Sequence, residues 1–90
     1  MSLARPEQTR QAKDIIADIK DLVLFNDDHN TFEFVIKSLI DVCGHKSEQA
    51  EQCALITHLK GKCAINNGTW YELKPQHDQL SMRGLTVSIT

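Results

Sequence analysis

No strictly apolar run in the chain exceeds four residues, as in Leu22 to Phe25, so no segment is long enough to cross a bilayer as a helix. Proline occurs twice and glycine four times, which excludes collagen-like and proline/glycine-rich low-complexity architectures. Neither sign of charge dominates. Ten Lys and Arg against twelve Asp and Glu leave a net charge of −2, and a pI near 6.0 offers no footprint for nucleic-acid phosphates. Cysteine is scarce and odd in number: Cys43, Cys53 and Cys63 cannot all pair, and none forms a C-x-x-C. This usage fits reduced thiols in a reducing compartment, and the even ten-residue spacing matches no motif. The first ten residues contain two arginines but no apolar stretch, so no cleaved signal peptide is expected. What is present is ordinary: 41% hydrophobic and 24% charged residues in a chain of 90, the composition of one small globular domain in the cytoplasm. A domain of this size buries only about 60–65% of its unfolded surface, so function is expected at a surface groove rather than in an enclosed cavity.

Residues 1–17 are polar and mixed, and read as a flexible N-terminal arm preceding a core domain over 18–90. Asp21–Phe25 is a short apolar run stopped by Asn26-Asp27-Asp28, the pattern of a buried strand. Phe32, Val35, Ile36, Leu39, Ile40 and Cys43 then recur at helical spacing. Asn30 and Glu33 have the separation of a capping box, and Gly44 is placed to end that helix. Ser47 is expected to cap a second helix over Glu48 to about Leu59, ending before Gly61. Lys62–Asn66 reads as a strand and Asn67-Gly68 as a turn. Thr69 with Glu72 can cap a third helix reaching about Arg83, with a first turn made irregular or late by Pro75, and Gly84 stops it. Leu85–Ile89 alternates with period two, as a half-buried strand does. The order β-α-α-β-α-β, with helices stacked on one face of a small sheet, is α+β.

Two places concentrate chemistry. Phe25 to Thr31 packs five Asn, Asp and Thr side chains nearly in a row, more than one turn and one helix cap require. The surplus acceptors face either water or a cationic guest. His58 continues the i, i+4 row Ala50, Ala54, ending a ridge of small residues on the second helix. A satisfied, partly buried histidine is the plainer reading of that position; a neutral imidazole offering an acceptor nitrogen is the functional one. His29, His45 and His77 read as solvent residues. Metal and cofactor binding find no support, because no His or Cys pair has finger-like or H-x-x-x-H spacing and there is no glycine-rich phosphate loop. Cys53 and His58 are about 140° apart around a helix, which does not make a nucleophile–base pair. Cys43 and Cys53 read as small core residues. No catalytic constellation emerges.

The segment LVLFNDDHNTFEFVIKSLIDVC, followed by ITHLKGKC, resembles the ClpS adaptor family. The specific elements are Asn26-Asp27-Asp28 after the first strand, Glu33-Phe34-Val35 on the first helix, and His58-x-x-Gly61-Lys62 closing the second. The resemblance implies a three-stranded antiparallel sheet with three helices on one face. It implies a non-catalytic adaptor that recognises N-degron substrates and delivers them to the N-domain of a Clp-type AAA+ unfoldase and its protease. Asn26, Asp27 and His58 match the positions that hold the substrate's α-amino group. Leu24, Asn30, Phe32, Val35, Ala54 and Thr57 match the pocket for a first side chain, in this family Leu, Phe, Tyr or Trp. Phe32, Ala54 and Thr57 depart from the methionine, methionine and valine of better-known members, and the third-helix segment is shorter. Two alternatives stay open: a ClpS-like interaction domain that docks on an AAA+ partner without N-degron binding, and a thiol enzyme using Cys43, Cys53 or Cys63.

Overall fold

The computed structural model describes residues 18–90, so the arm expected over 1–17 lies outside the described residues. The elements in chain order are β1 (Lys20–Phe25), α1 (Phe32–Cys43), α2 (Ser47–Lys60), β2 (Lys62–Gly68), α3 (Trp70–Met82) and β3 (Thr86–Ile89). They form a three-stranded antiparallel sheet in the order β2-β1-β3 with three helices, the expected α+β architecture. Strand alternation decides which side is covered. Leu22 and Leu24 are buried on one face of β1, and they join Leu39, Ala50, Ile65, Leu73, Leu80 and Leu85 in a single core. Each fully buried leucine contributes about 1.5–3 kcal/mol by leaving water.

Several local expectations are corrected, each for an identifiable reason. Thr31, not Asn30, caps α1: its Oγ1 accepts from Phe34 N at 3.1 Å, while the Asn30 side chain is engaged elsewhere. Ser47 is already helical; Lys46 is the residue preceding α2 and makes no side-chain cap. Asn67-Gly68 is no turn. β2 continues through it, pairing Asn67 with Asp21 and Gly68 with Lys20. A side chain at Gly68 would bring its Cβ within 2.9 Å of Glu72 Oε1, the atom that accepts from Thr69 N, so the glycine makes room for the next helix's cap. That cap is complete, since Thr69 Oγ1 accepts from Glu72 N at 3.2 Å, and α3 begins regularly at Trp70 despite Pro75. Proline removes the bond to the carbonyl of Tyr71, a residue 82% exposed where water can serve that oxygen.

His45 is the largest surprise. It is buried rather than solvated, and the cause is a β-bulge. Leu22 pairs with Asn66 and Val23 with Ala64, which leaves Ile65 without a partner across β1. His45 Nε2 lies 2.7 Å from the Ile65 carbonyl, and because a carbonyl only accepts, Nε2 carries the hydrogen.

Candidate functional site

The site forms where β1 gives way to α1 and where α2 ends. Asn26 leaves the sheet with its backbone N–H donated to Gly61 O at 2.9 Å, and Gly61 N–H donates to Thr57 O at 2.9 Å. Gly61 adopts φ 91°, the left-handed conformation that ends α2 and turns its carbonyl towards Asn26. These two bonds hold the acceptor-rich turn against the last turn of α2. The resulting pocket, of about 350 Å³, is lined by Leu24, Asn26, Asp27, Asn30, Phe32, Val35, Ala54, Thr57 and His58, so every candidate residue converges on one concavity. Its size is at the lower end for small-molecule sites. Phe25 and Asp28 also line it and were not singled out from the sequence, although Asp28 belongs to the Asn-Asp-Asp run.

The turn is built around Asp27. Its Oδ1 accepts from His29 N and Asn30 N, both at 2.9 Å, and its Oδ2 accepts from Asn30 Nδ2 at 2.9 Å. Asn30 Nδ2 also donates to Gly84 O at 3.0 Å, tying this turn to the one between α3 and β3. Burial raises the Asp27 pKa, but the hydrogen bonds from the Asn30 side chain and from the Asn30 and His29 backbones outweigh it, aided by the His29 charge. The net effect holds the carboxyl below the ordinary aspartate value. Asp27 is therefore a fixed anion at neutral pH, and no Lys or Arg lines the pocket to neutralise it. Asp27 and Thr31 thus spend acceptors on their own backbone, whereas the side chains of Asn26 and Asp28 engage no partner among the described residues.

On α2 the buried row is Ala50, Ala54 and Thr57, and His58 stands beside it, exposed. The partly buried histidine expected from the i, i+4 row is displaced because Thr57 takes the inward position; its Oγ1 donates to Cys53 O at 2.7 Å. Leu24, 2% exposed, serves both the core and the pocket, while Phe32, 42% exposed, stands at the pocket with much of its ring in solvent. The site is apolar on one side and rich in oxygen acceptors on the other. A second, open groove along α1 and α2 contains none of the candidate residues.

None of the three cysteines is among the residues that line the candidate pocket. Burial pushes Cys43 up to about 11, and burial with the neighbouring Cys63 and Cys43 pushes Cys53 up to about 11. Tertiary packing thus brings Cys43 of α1 and Cys63 of β2 near Cys53 of α2. Among the described residues no group of His, Cys, Asp or Glu is arranged to hold a metal, and no helix is long and apolar enough to cross a membrane.

A family model described as the ATP-dependent Clp protease adaptor protein ClpS matches residues 10–88. No curated protein matches the sequence. Among solved structures, one of Agrobacterium tumefaciens ClpS2 bound to L-phenylalaninamide is similar in fold, with a TM-score of 0.69 at 19% identity, covering 81% of this chain and 95% of that one.

Proposed function

The chain belongs to the family of ATP-dependent Clp protease adaptor proteins ClpS, and from that membership we propose that its pocket captures the free N-terminus of N-degron substrates for delivery to a Clp-type AAA+ unfoldase. The observation that supports this reading is the convergence of Asn26, Asp27 and His58 on one pocket with Leu24, Val35 and Ala54. A terminal α-ammonium presents three N–H donors and a positive charge. An amide oxygen, a carboxylate and a neutral imidazole nitrogen supply three acceptors, and hydrogen bonds to charged groups are the strong ones. Acetylation removes the charge and two of the donors, and an internal residue has no such group, so the site reads chain ends. The apolar side takes the first side chain, for which burial of a Leu, Phe, Tyr or Trp contributes on the order of 1.5–3 kcal/mol.

In this reading Asp27 is held ready before substrate arrives. Its Oδ2 accepts one bond, from Asn30, and keeps a lone pair for the ammonium. In this reading the chain is a binding module without chemistry of its own; burial holds the Cys43 and Cys53 thiols at about 11, protonated at neutral pH, which disfavours either as a nucleophile. Residues 1–17 assist delivery, the unfoldase N-domain is the partner, and three free thiols suit the cytoplasm. The test is an NMR titration of the ¹⁵N-labelled protein with L-phenylalaninamide, the ligand bound by Agrobacterium tumefaciens ClpS2. Amide shifts confined to residues 24–35 and 54–61, absent with N-acetyl-phenylalaninamide, are expected. No shift with either compound would leave a domain that docks on its partner without reading N-termini.

A further inference from the structure

Two polar side chains at the pocket have spent every hydrogen they own. Thr57 is 4% exposed and lines the pocket, and its Oγ1 donates its one hydrogen to Cys53 O at 2.7 Å. Asn30 directs Nδ2 at two acceptors, Asp27 Oδ2 and Gly84 O, at 2.9 and 3.0 Å. What remains at Thr57 Oγ1 and Asn30 Oδ1 is acceptor capacity only, and no donor among the described residues meets it. Leu24, Val35 and Ala54 line the same pocket, as does Phe32, 42% exposed. A guest that fills such a space with hydrocarbon alone displaces water from the oxygens and leaves them unmet, at a cost in affinity. A guest that brings a donor on an aromatic frame keeps the burial and satisfies an oxygen as well. Phe32 adds a ring against which another ring packs edge-on or offset.

We propose that the pocket selects a first side chain that joins an aromatic ring to a hydrogen-bond donor, tryptophan and tyrosine before phenylalanine and leucine, with Thr57 Oγ1 as the accepting atom. The proposal rests on the reading of the pocket as a receptor for N-termini and adds its side-chain preference. Thr57 acts here as a specificity-determining residue, and the α-amino contacts are untouched by it.

The experiment measures affinities of peptides identical beyond residue one, beginning with Trp, Tyr, Phe, Leu or 3-benzothienylalanine, in which sulfur replaces the indole N–H. Wild-type protein, Thr57→Val and Thr57→Ser are compared. In the wild type, Trp is expected to exceed benzothienylalanine, and Tyr to exceed Phe, by about three- to tenfold, the range of one neutral hydrogen bond. Thr57→Val is expected to bring both ratios to about one, through weaker Trp and Tyr binding and stronger binding of the purely hydrocarbon side chains, and Thr57→Ser to restore them. Ratios near one in the wild type, or ratios unchanged by Thr57→Val, overturn the preference while leaving the N-terminal receptor standing. Failure of every peptide to bind overturns the receptor reading and the preference with it.

Discussion

Replacing Asn30 by alanine isolates the device that holds the acceptor turn in place. The side chain makes two bonds, one to the Asp27 carboxylate and one to the Gly84 carbonyl, and alanine loses both. A hydrogen bond to a charged group is worth about 1.5–3 kcal/mol. The lower end applies here because the bond is only part-buried, and the exposed Gly84 oxygen recovers its partner from water. The expected loss is about 1.5–2 kcal/mol, which in a domain of this size lowers the melting temperature by about 6–16 °C. Part of that loss depends on pH. The folded-state pKa of Asp27 is depressed, so its contribution is full above the unfolded aspartate value of about 3.9 and is lost as pH falls through the folded value. Asn30→Ala removes the side-chain part of the depression, so the stability gap between wild type and variant narrows from pH 7 to pH 2.5. Urea unfolding at both pH values measures it. A variant as stable as wild type at pH 7, or a gap that holds constant or widens in acid, refutes the argument that Asn30 pins an ionised Asp27.

Two further outcomes follow from the geometry. His58 is exposed and hydrogen-bonds no described residue, so His58→Ala should unfold within about 0.5 kcal/mol of wild type yet bind free N-termini at least about tenfold more weakly; equal affinity by calorimetry removes His58 from the site. Cys43 and Cys53, with pKa values of about 11, should react with iodoacetamide at pH 7.5 about two orders of magnitude more slowly than an ordinary cysteine, and peptide-resolved mass spectrometry showing ordinary rates at either would contradict their burial.

The order of elements is legible in the sequence because apolar periodicity and caps carry it. The α1 stripe, the left-handed Gly44 and the Thr69–Glu72 box all stand as read. What misleads is residue chemistry with two uses. Asn67-Gly68 has turn chemistry, yet its glycine serves the approach of Glu72, a tertiary demand that no local window contains. His45 has loop polarity, yet a bulge 20 residues away supplies a carbonyl that draws it inside. The nine candidate residues, drawn from three stretches of the chain, all line one pocket. The site's internal wiring is not legible in the sequence. The Asn30–Gly84 bond spans 54 residues, and the inward turn of Thr57 in place of His58 depends on how α2 packs, not on its i, i+4 row.

The central claim is that this pocket reads a free α-amino group together with a bulky apolar side chain. Fluorescence anisotropy of labelled peptides differing only at residue one tests it directly, with Leu, Phe, Tyr, Trp, Ile, Met, Ala and Arg at that position and an N-acetylated Phe control. The account predicts binding for the large hydrophobic first residues, little for Ala and Arg, and none after acetylation. An acetylated peptide that binds as tightly as its free counterpart would contradict it.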